Sequence, residues 1–462
     1  MNRRTFLKQT AAAGSLAMIP GGSWALNAKA HTEKPNLLFV MTDQQTASAM
    51  SNRGNKWLKT PNMDRLAKFG TSFTKAYCTQ PLCGPSRSSM LTGMYPHQVE
   101  ATLNLNETPG YWDKDVKVMG SYMKDAGYDT GYVGKWHLPI PTEDIEHHGF
   151  DYITNTKRRD WQDASIPADC GSFLKRKRDK PFFLVASFIN PHDICEWARG
   201  QKLRMEEIPD TPNLEDCPPI PNNLEIPKGE PSFLREMHKK SPKQYPTVGW
   251  EDEKWREYQW AYYRLVERVD VYIGRILESL ERYGHLDNTI VVFTSDHGDG
   301  CGSHRLNQKQ VLYEEATNVP FIVSHLTKGA EKLNETALIN TGLDLIPTFC
   351  DYTGSKIPKK LQGKSVRDLV EDSSKREYLF METEFAEGIK SFGIMGRAVR
   401  DERYKYIIYS EGEGREQLFD LQYDPGEMYD LSELKGYREI KERMRQQLKQ
   451  WQVETNDNVE IL

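Results

Sequence analysis

A cysteine, a proline and an arginine stand close together in Cys83-Gly84-Pro85-Ser86-Arg87, and Leu91-Thr92-Gly93 follows soon after. Proline in third place suits the first turn of a helix, where its missing N–H costs nothing, and Arg87 sets a permanent cation beside the thiol. Such a stretch makes an anion site with a reactive residue at its mouth. Packing alone, a structural cysteine in a proline-bounded turn, explains it poorly.

Other residues of matching chemistry are spread along the chain. Asp43, Gln44 and Asp296 offer hard oxygen ligands and His297 a nitrogen, together a divalent cation site open to substrate. Arg87, Lys135 and Lys309 are three cations suited to a tetrahedral anionic ester. His137 and His192 are proton carriers with an ordinary pKa of about 6.5. One metal, three cations, two histidines and one special residue make a site for esters of sulfate or phosphate. Taken singly, each histidine reads equally as a hydrogen-bonded structural group, and Lys309 alone reads that way first. The pair His147-His148 lacks the His-Glu-x-x-His spacing of a metalloprotease helix and is expected at the surface.

Those residues need a frame that gathers them. Residues 36–41 form a continuous apolar run that exits through Thr42-Asp43-Gln44, the pattern of a parallel strand buried on both faces. Residues 130–133 run into Gly134-Lys135-Trp136-His137, residues 182–189 into Asn190-Pro191-His192, and residues 289–294 into Ser295-Asp296-His297-Gly298. In open α/β sheets ligands collect outside the carboxyl ends of the strands, and here four such ends each deliver Asp, Lys or His. Segments 61–67 and 118–127 read as crossover helices, the second capped by Gly127. The longest helix is predicted over 255–283, where Tyr262, Leu265, Val266, Val269, Ile273, Ile276, Leu277 and Leu280 mark one buried face and Gly284 stops it.

The fold class is therefore α/β, a large mostly parallel sheet sandwiched by helices. Residues 195–250 are rich in Pro, Asn, Glu and Lys without periodicity, too long for an ordinary connection; they read as a substrate-selecting loop or a surface insertion. Beyond about Lys375 the pattern changes. Residues 395–409 read as a hairpin turning at Asp401-Glu402-Arg403, residues 417–421 as a strand before Asp424-Pro425-Gly426-Glu427, and Ile440, Met444, Leu448 and Trp451 line one side of a final helix. The predicted organisation is a catalytic domain over 31–375 and a smaller antiparallel sheet with a helix over 376–462.

A chain of 462 residues is long enough for one large domain and a smaller one. Its net charge of −5 gives no electrostatic support for nucleic acid, and the run Lys175-Arg176-Lys177-Arg178 reads as a solvated face. Residues 1–30 carry a twin-arginine pattern at Arg3-Arg4, a small-residue apolar stretch to Ile19 and a cleavage-like Ala28-Lys29-Ala30. The apolar run is short and rich in Gly, Ala and Ser, no cysteine precedes Cys78, and no later run is long enough to cross a bilayer. An exported protein, periplasmic or secreted and without membrane span or lipid anchor, is expected. Seven cysteines, an odd number, leave at least one unpaired, with Cys83 the foremost candidate; Cys78, Cys170, Cys195, Cys217, Cys301 and Cys350 match no disulfide or metal framework.

The stretch Cys83-Gly84-Pro85-Ser86-Arg87 with Leu91-Thr92-Gly93 resembles the sulfatase signature, in which the cysteine is oxidised after translation to Cα-formylglycine. The resemblance extends over Pro35-Asn36, Gly134-Lys135-Trp136-His137, Pro191-His192, Ser295-Asp296-His297-Gly298, His304 with Lys309, and the late Glu416-Gln417-Leu418-Phe419-Asp420-Leu421 with Asp424-Pro425-Gly426-Glu427. Together these resemble a formylglycine sulfatase of the alkaline phosphatase superfamily.

By that resemblance Asp43, Gln44, Asp296 and His297 would hold Ca²⁺, with modified Cys83 completing the set. His304 and Arg305 become candidate substrate contacts. The aldehyde at 83 would be hydrated to a geminal diol; one hydroxyl attacks sulfur in line while His192 gives the leaving alcohol a proton. His137 then removes the second hydroxyl's proton, sulfate is expelled, and Lys135, Lys309 and Arg87 stabilise charge throughout. The implied substrate is a sulfated carbohydrate, and the implied partner is a formylglycine-generating enzyme. Two departures stand out: many members have a second aspartate where this chain has Gln44, and an asparagine where it has His297. Both replacements occur in members that cleave phosphonate monoesters, so a phosphonate monoester or phosphodiester hydrolase is the alternative. A silent glycan-binding relative is disfavoured by the intact set Cys83, Arg87, His137, His192 and Lys309.

Overall fold

A computed structural model describes residues 34–105, 111–154, 162–205, 207–240, 246–369, 375–387 and 389–461. The predicted export signal at 1–30 lies outside them. The strands are β1 (Asn36–Asp43), β2 (Gly70–Phe73), β3 (Ala76–Tyr77), β4 (Asp129–Gly134), β5 (Tyr152–Thr154), β6 (Phe182–Pro191) and β7 (Thr289–Ser295). They continue with β8 (Phe321–Ser324), β9 (Lys332–Asn334), β10 (Ile339–Asn340), β11 (Leu379–Glu387), β12 (Lys390–Arg400), β13 (Tyr404–Tyr409) and β14 (Glu416–Asp420).

The large sheet runs β5-β4-β6-β1-β7-β8-β2-β9. Its centre is parallel: β1 pairs with β6 and β7, and β4 with β5 and β6; β8 runs antiparallel to β7 and β2. The register pairs Thr42 with Ser295, Asp43 with Pro191 and Gly134 with Ser187. The carboxyl ends of β4, β6, β1 and β7 therefore open on one edge, which is where the chemistry-bearing residues of the sequence emerge.

All eight residues of β1 are buried, as its unbroken apolar run requires. Alternation sends its side chains to two layers. Leu38 and Val40 pack in one cluster with Val266, Val269 and Ile273 of the helix Asp252–Arg282. Leu37, Phe39 and Met41 pack in another with Met90 and Leu91 of the helix Cys83–Thr92 and with Ile346 and Phe349 of the helix Thr341–Thr353. The long helix has the buried face read from its periodicity, and Gly284 follows it at φ +75°.

Residues 195–250 contain two helices among the described residues, Ile194–Ala198 and Ser232–Lys240, with a 3₁₀ turn at Leu214–Asp216. Arg256 of the long helix ties part of this stretch down by donating to the carbonyls of Leu214, Cys217 and Pro218. Strands β11 to β14 form a four-stranded antiparallel sheet in chain order. The hairpin β12-β13 turns at residues 401–403, where Asp401 Oδ1 accepts from the amides of Arg403 (2.8 Å) and Tyr404 (2.6 Å). The helix Arg438–Thr455 buries Met444, Leu448 and Trp451. Strand β11, whose Glu382 and Thr383 are buried, is an addition to the elements expected from sequence.

His147 and His148 are not at the surface: both are buried at the end of the short helix Ile145–His148. Backbone carbonyls make that burial tolerable. His147 Nε2 donates to Val116 O (2.9 Å) and His148 Nε2 to Thr142 O (3.0 Å), while His148 Nδ1 accepts from the amide of Phe150 (3.1 Å).

Candidate active site

Cys83 opens the helix Cys83–Thr92 after an extended Leu82, Pro85 lies in the first turn, and Gly93 at φ 71° ends the helix. Gly84 is packed closely: a Cβ there would meet Asn104 Cα and Leu103 O at 3.1 Å. Its amide donates to Asn104 Oδ1 (2.8 Å), and Ser86 Oγ donates to the carbonyl of Asp296 (2.5 Å). The reactive position is thus clamped between a loop and the exit of β7.

Cys83 Sγ lies 3.0 Å from Lys309 Nζ, 3.3 Å from His297 Nε2 and 3.5 Å from Asp43 Oδ1. Burial pushes this thiol up, but Lys135, Lys309 and His297 outweigh it and hold it well below the usual cysteine range. The surroundings favour an anion at position 83.

Four buried residues, Asp43, Cys83, Asp296 and His297, each offer a ligating atom within 4.8 Å of the others. His297 Nδ1 meets Gly298 O at 2.8 Å, an acceptor only, so Nδ1 carries the proton and Nε2 is left to face the cluster. That nitrogen lies 3.8 Å from Asp43 Oδ1 and 3.7 Å from Asp296 Oδ1. Burial and the charge of Asp43 push the Asp296 carboxyl up to about 6, the expected strain of two buried carboxylates facing one another. The donor set fits a divalent cation, which would relieve that strain.

Arg87 braces the two carboxylates. Its Nε donates to Asp296 Oδ2 (2.8 Å), Nη2 to Asp43 Oδ2 (3.1 Å), and Nη1 to Lys135 O (2.9 Å) and Ser187 Oγ (2.8 Å). Lys135 Nζ also donates to Asp43 Oδ2. Burial and the thiol of Cys83 raise the Asp43 carboxyl, yet Lys135, His192 and Arg87 bring it below the usual range. From sequence, Arg87 is expected to touch the transferring anion; in the fold four of its five N–H bonds are spent on protein acceptors.

Gln44 stands at φ 71° directly after β1. Its Oε1 accepts from Lys309 Nζ (2.8 Å) and its Nε2 donates to Asp299 Oδ2 (2.7 Å). Asp299, fully buried, accepts from Tyr258 OH at 2.9 and 2.8 Å. Because that carboxylate demands a donor, the amide is fixed with its oxygen toward Lys309. Gln44, expected among the metal ligands, is held here with its Oε1 on Lys309, whose Nζ also reaches Cys83 Sγ at 3.0 Å. Tyr262 OH donates to Gln44 O (2.7 Å) and accepts from the amide of Thr46 (2.9 Å), holding the left-handed turn. Asp299 and Tyr258 escaped the sequence reading, although Asp299 lies only three residues after Asp296.

His137, at φ 53°, is half-buried and hydrogen-bonded to Cys83; loss of water around the ring pushes its pKa down. His192 lies beside the same thiol, and burial followed by the charge of Lys309 pushes it down to about 4. Arg305 is half-buried at the surface, with Nη2 3.4 Å from Glu225 and 3.8 Å from Asp252. His304 is not among the residues gathered at Cys83. It is buried, donates from Nε2 to Gly426 O (2.8 Å) and sets its ring edge-on to Tyr313 at 4.2 Å, a structural position against the C-terminal sheet. All seven cysteines are free thiols.

The family model for sulfatases matches residues 35–355, and the model for the C-terminal part of N-sulphoglucosamine sulphohydrolase matches residues 302–454. Among similar proteins is the Delta 4,5-hexuronate-2-O-sulfatase of Bacteroides thetaiotaomicron, 30% identical over 427 residues, covering 88% of this chain and 86% of that one. Another is an ulvan-active sulfatase of Formosa agariphila, 30% identical over 414 residues, covering 86% and 77%. The solved structure of a 2-O GAG sulfatase superposes with a TM-score of 0.80 at 27% identity, covering 93% of this chain and 95% of the other. A phosphonate monoester hydrolase from Silicibacter pomeroyi shares the fold, with a TM-score of 0.76 at 20% identity and coverage of 91% and 96%.

Proposed function

Because the chain belongs to the sulfatase family, whose members hydrolyse sulfuric esters, we propose that it is an exported formylglycine sulfatase acting on a sulfated carbohydrate. The observation that carries this reading is the surround of Cys83 Sγ, with Lys309 at 3.0 Å, His297 at 3.3 Å and Asp43 at 3.5 Å. A maturing enzyme would convert Cys83 to formylglycine. Asp43, Asp296, His297 and position 83 would hold Ca²⁺ or another divalent cation. Together the hydrated aldehyde and the cation supply an acidified oxygen nucleophile and a Lewis acid for the sulfate.

The remaining work falls to the chain's own side chains. Lys309, aimed by Gln44, and Lys135 set two cations against the anion that forms at sulfur. Arg87 keeps Asp43 and Asp296 in place. His137 takes a proton at position 83, and His192 offers one to the leaving oxygen. Burial keeps both rings neutral, which suits His137 directly as a base; His192 must first take up a proton from solvent before it can pass one to the leaving oxygen.

The carbohydrate substrate is supported by relatives named for sulfated sugars, a hexuronate 2-O-sulfatase and an N-acetylglucosamine-6-O-sulfatase. No helix among the described residues is long and apolar enough to cross a membrane, and export rests on the pattern in residues 1–30. Release of sulfate from a panel of defined sulfated saccharides tests the reading. No release from any of them by protein shown by peptide mass to carry the modified residue would refute it and favour a silent binder. Gln44, neutral where a second carboxylate is common, favours phosphonate monoester hydrolysis as a second reading. Sulfate and phosphonate esters of one chromogenic alcohol separate the two.

A further inference from the structure

Beside the site at Cys83 lies a second set of ligating atoms. His192, Asp193 and Glu196 each offer one within 4.8 Å of the others. Asp193 is 0% exposed, and neither of its carboxylate oxygens has a hydrogen-bond partner. His192 Nδ1 and Glu196 Oε2 are likewise enclosed and without a partner. A carboxylate taken out of water with no donor costs several kcal/mol, so this cluster lacks a positive group.

The neighbouring arginines supply it only at a distance: Arg204 and Arg268 act on the Asp193 carboxylate through their charge, but neither of its oxygens is bonded. Arg204 donates from both Nε (2.9 Å) and Nη2 (2.5 Å) to Glu196 Oε1, and Arg199 approaches that same oxygen at 3.9 Å. Glu196 is thereby anchored through Oε1, while its Oε2 is enclosed and unbonded. Anchoring of a ligating carboxylate through its second oxygen is how metal ligands are oriented.

We propose that His192, Asp193 and Glu196 hold a second divalent cation, separate from the one at Asp43, Asp296 and His297. One imidazole nitrogen with two carboxylate oxygens suits an ion of the borderline class, zinc or manganese, better than an ion that prefers oxygen alone. The spacing is near that of a shared ion: atoms bound at about 2.0–2.3 Å lie up to about 4.6 Å apart, and these three fall within 4.8 Å, a difference small side-chain shifts would close. With one nitrogen of His192 on the ion, the other carries the proton and the ring cannot turn. The histidine is then a fixed hydrogen-bond donor rather than a freely rotating one. The presence of the ion is independent of the part given above to His192, whereas its effect on turnover rests on that part.

The test uses the full chain with Cys83 unmodified, dialysed against Zn²⁺ in excess Ca²⁺, with metal content and X-ray absorption as readouts. One retained zinc with a shell of nitrogen and oxygen only is expected. Asp193→Asn and Glu196→Gln should each weaken retention at least about tenfold, while Asp296→Asn should keep it. No retained zinc in the unsubstituted chain, or sulfur in the zinc shell, overturns the site. Equal retention in Asp193→Asn and Glu196→Gln overturns it as well. The first two outcomes need no variant, so misfolding cannot hide the answer. In the matured enzyme, turnover that is indifferent to bound zinc overturns the effect on His192 without touching the site.

Discussion

Arg87 and Asp43 meet with both side chains wholly enclosed, Nη2 3.1 Å from Oδ2, while the same guanidinium grips Asp296 at 2.8 Å through Nε. The pair fixes one oxygen of Asp43 and leaves Oδ1, 3.5 Å from Cys83 Sγ, to the reaction side. A single arginine thus sets the geometry of both carboxylates that would ligate the cation.

Arg87→Ala should cost about 3–5 kcal/mol of stability, because two buried carboxylates lose their counter-charge. Added Ca²⁺ should recover part of the loss by taking the place of the missing cation. Thermal melts with and without Ca²⁺ read both. Unchanged melting with lost turnover would instead place Arg87 on the substrate.

Cys83→Ser, shown by peptide mass to be unmodified, should accept sulfate once and stop. A serine has one hydroxyl, whereas expulsion of sulfate by the proposed route needs a second on the same carbon. Intact mass after incubation with a sulfated substrate would show the adduct. Many turnovers at the ordinary rate would remove formylglycine from the mechanism.

Gln44→Glu sets an oxygen where Nε2 now lies, 2.7 Å from Asp299 Oδ2. Two facing buried carboxylates should lower stability and misdirect Lys309, reducing kcat more than KM. Combining it with Asp299→Asn restores a donor between the two positions. A coupling of about 1–3 kcal/mol is expected in a double-mutant cycle on melting, and additive losses would break the link.

His97 Nδ1 contacts Glu382 Oε2 at 2.5 Å, joining the segment after the Cys83 helix to β11. Burial lowers this histidine, but the charge and hydrogen bond of Glu382 outweigh it, so its pKa lies above the ordinary 6.5. The stabilisation is therefore complete below 6.5 and is lost as pH rises through the folded value. His97→Gln should cost about 1.5–3 kcal/mol in acid and progressively less as pH rises above the ordinary 6.5 and through the raised folded value. A stability difference that stays flat or grows with pH would contradict this.

Strand ends were readable before the fold because unbroken apolar runs such as residues 36–41 have one explanation, burial on both faces, and their exits then share an edge. The gathering of Asp43, Lys135, His137, His192, Asp296 and His297 followed from that, whereas Cys83 at a helix start and Lys309 in a loop were legible only by their chemistry and motif. Roles were harder than membership. Nothing in the residue type tells that Arg87 spends itself on carboxylates, or that the amide of Gln44 turns to Lys309 because Asp299 and Tyr258 hold it. His147, His148 and His304 show the same limit. Each is buried against a backbone carbonyl, and a carbonyl leaves no mark in the sequence pattern.

Cys83 is 1% exposed and stands first in a helix of which every residue is buried. For a second enzyme to oxidise that side chain it must hold the peptide around it, and the finished fold offers no peptide to hold. On the proposed reading the modification belongs to the nascent chain, before the large sheet closes over it. Chain that outruns its maturing enzyme would then be sealed with its thiol intact, and no later exposure to that enzyme would rescue it short of unfolding. The fraction of active molecules would be decided once, by a race during synthesis.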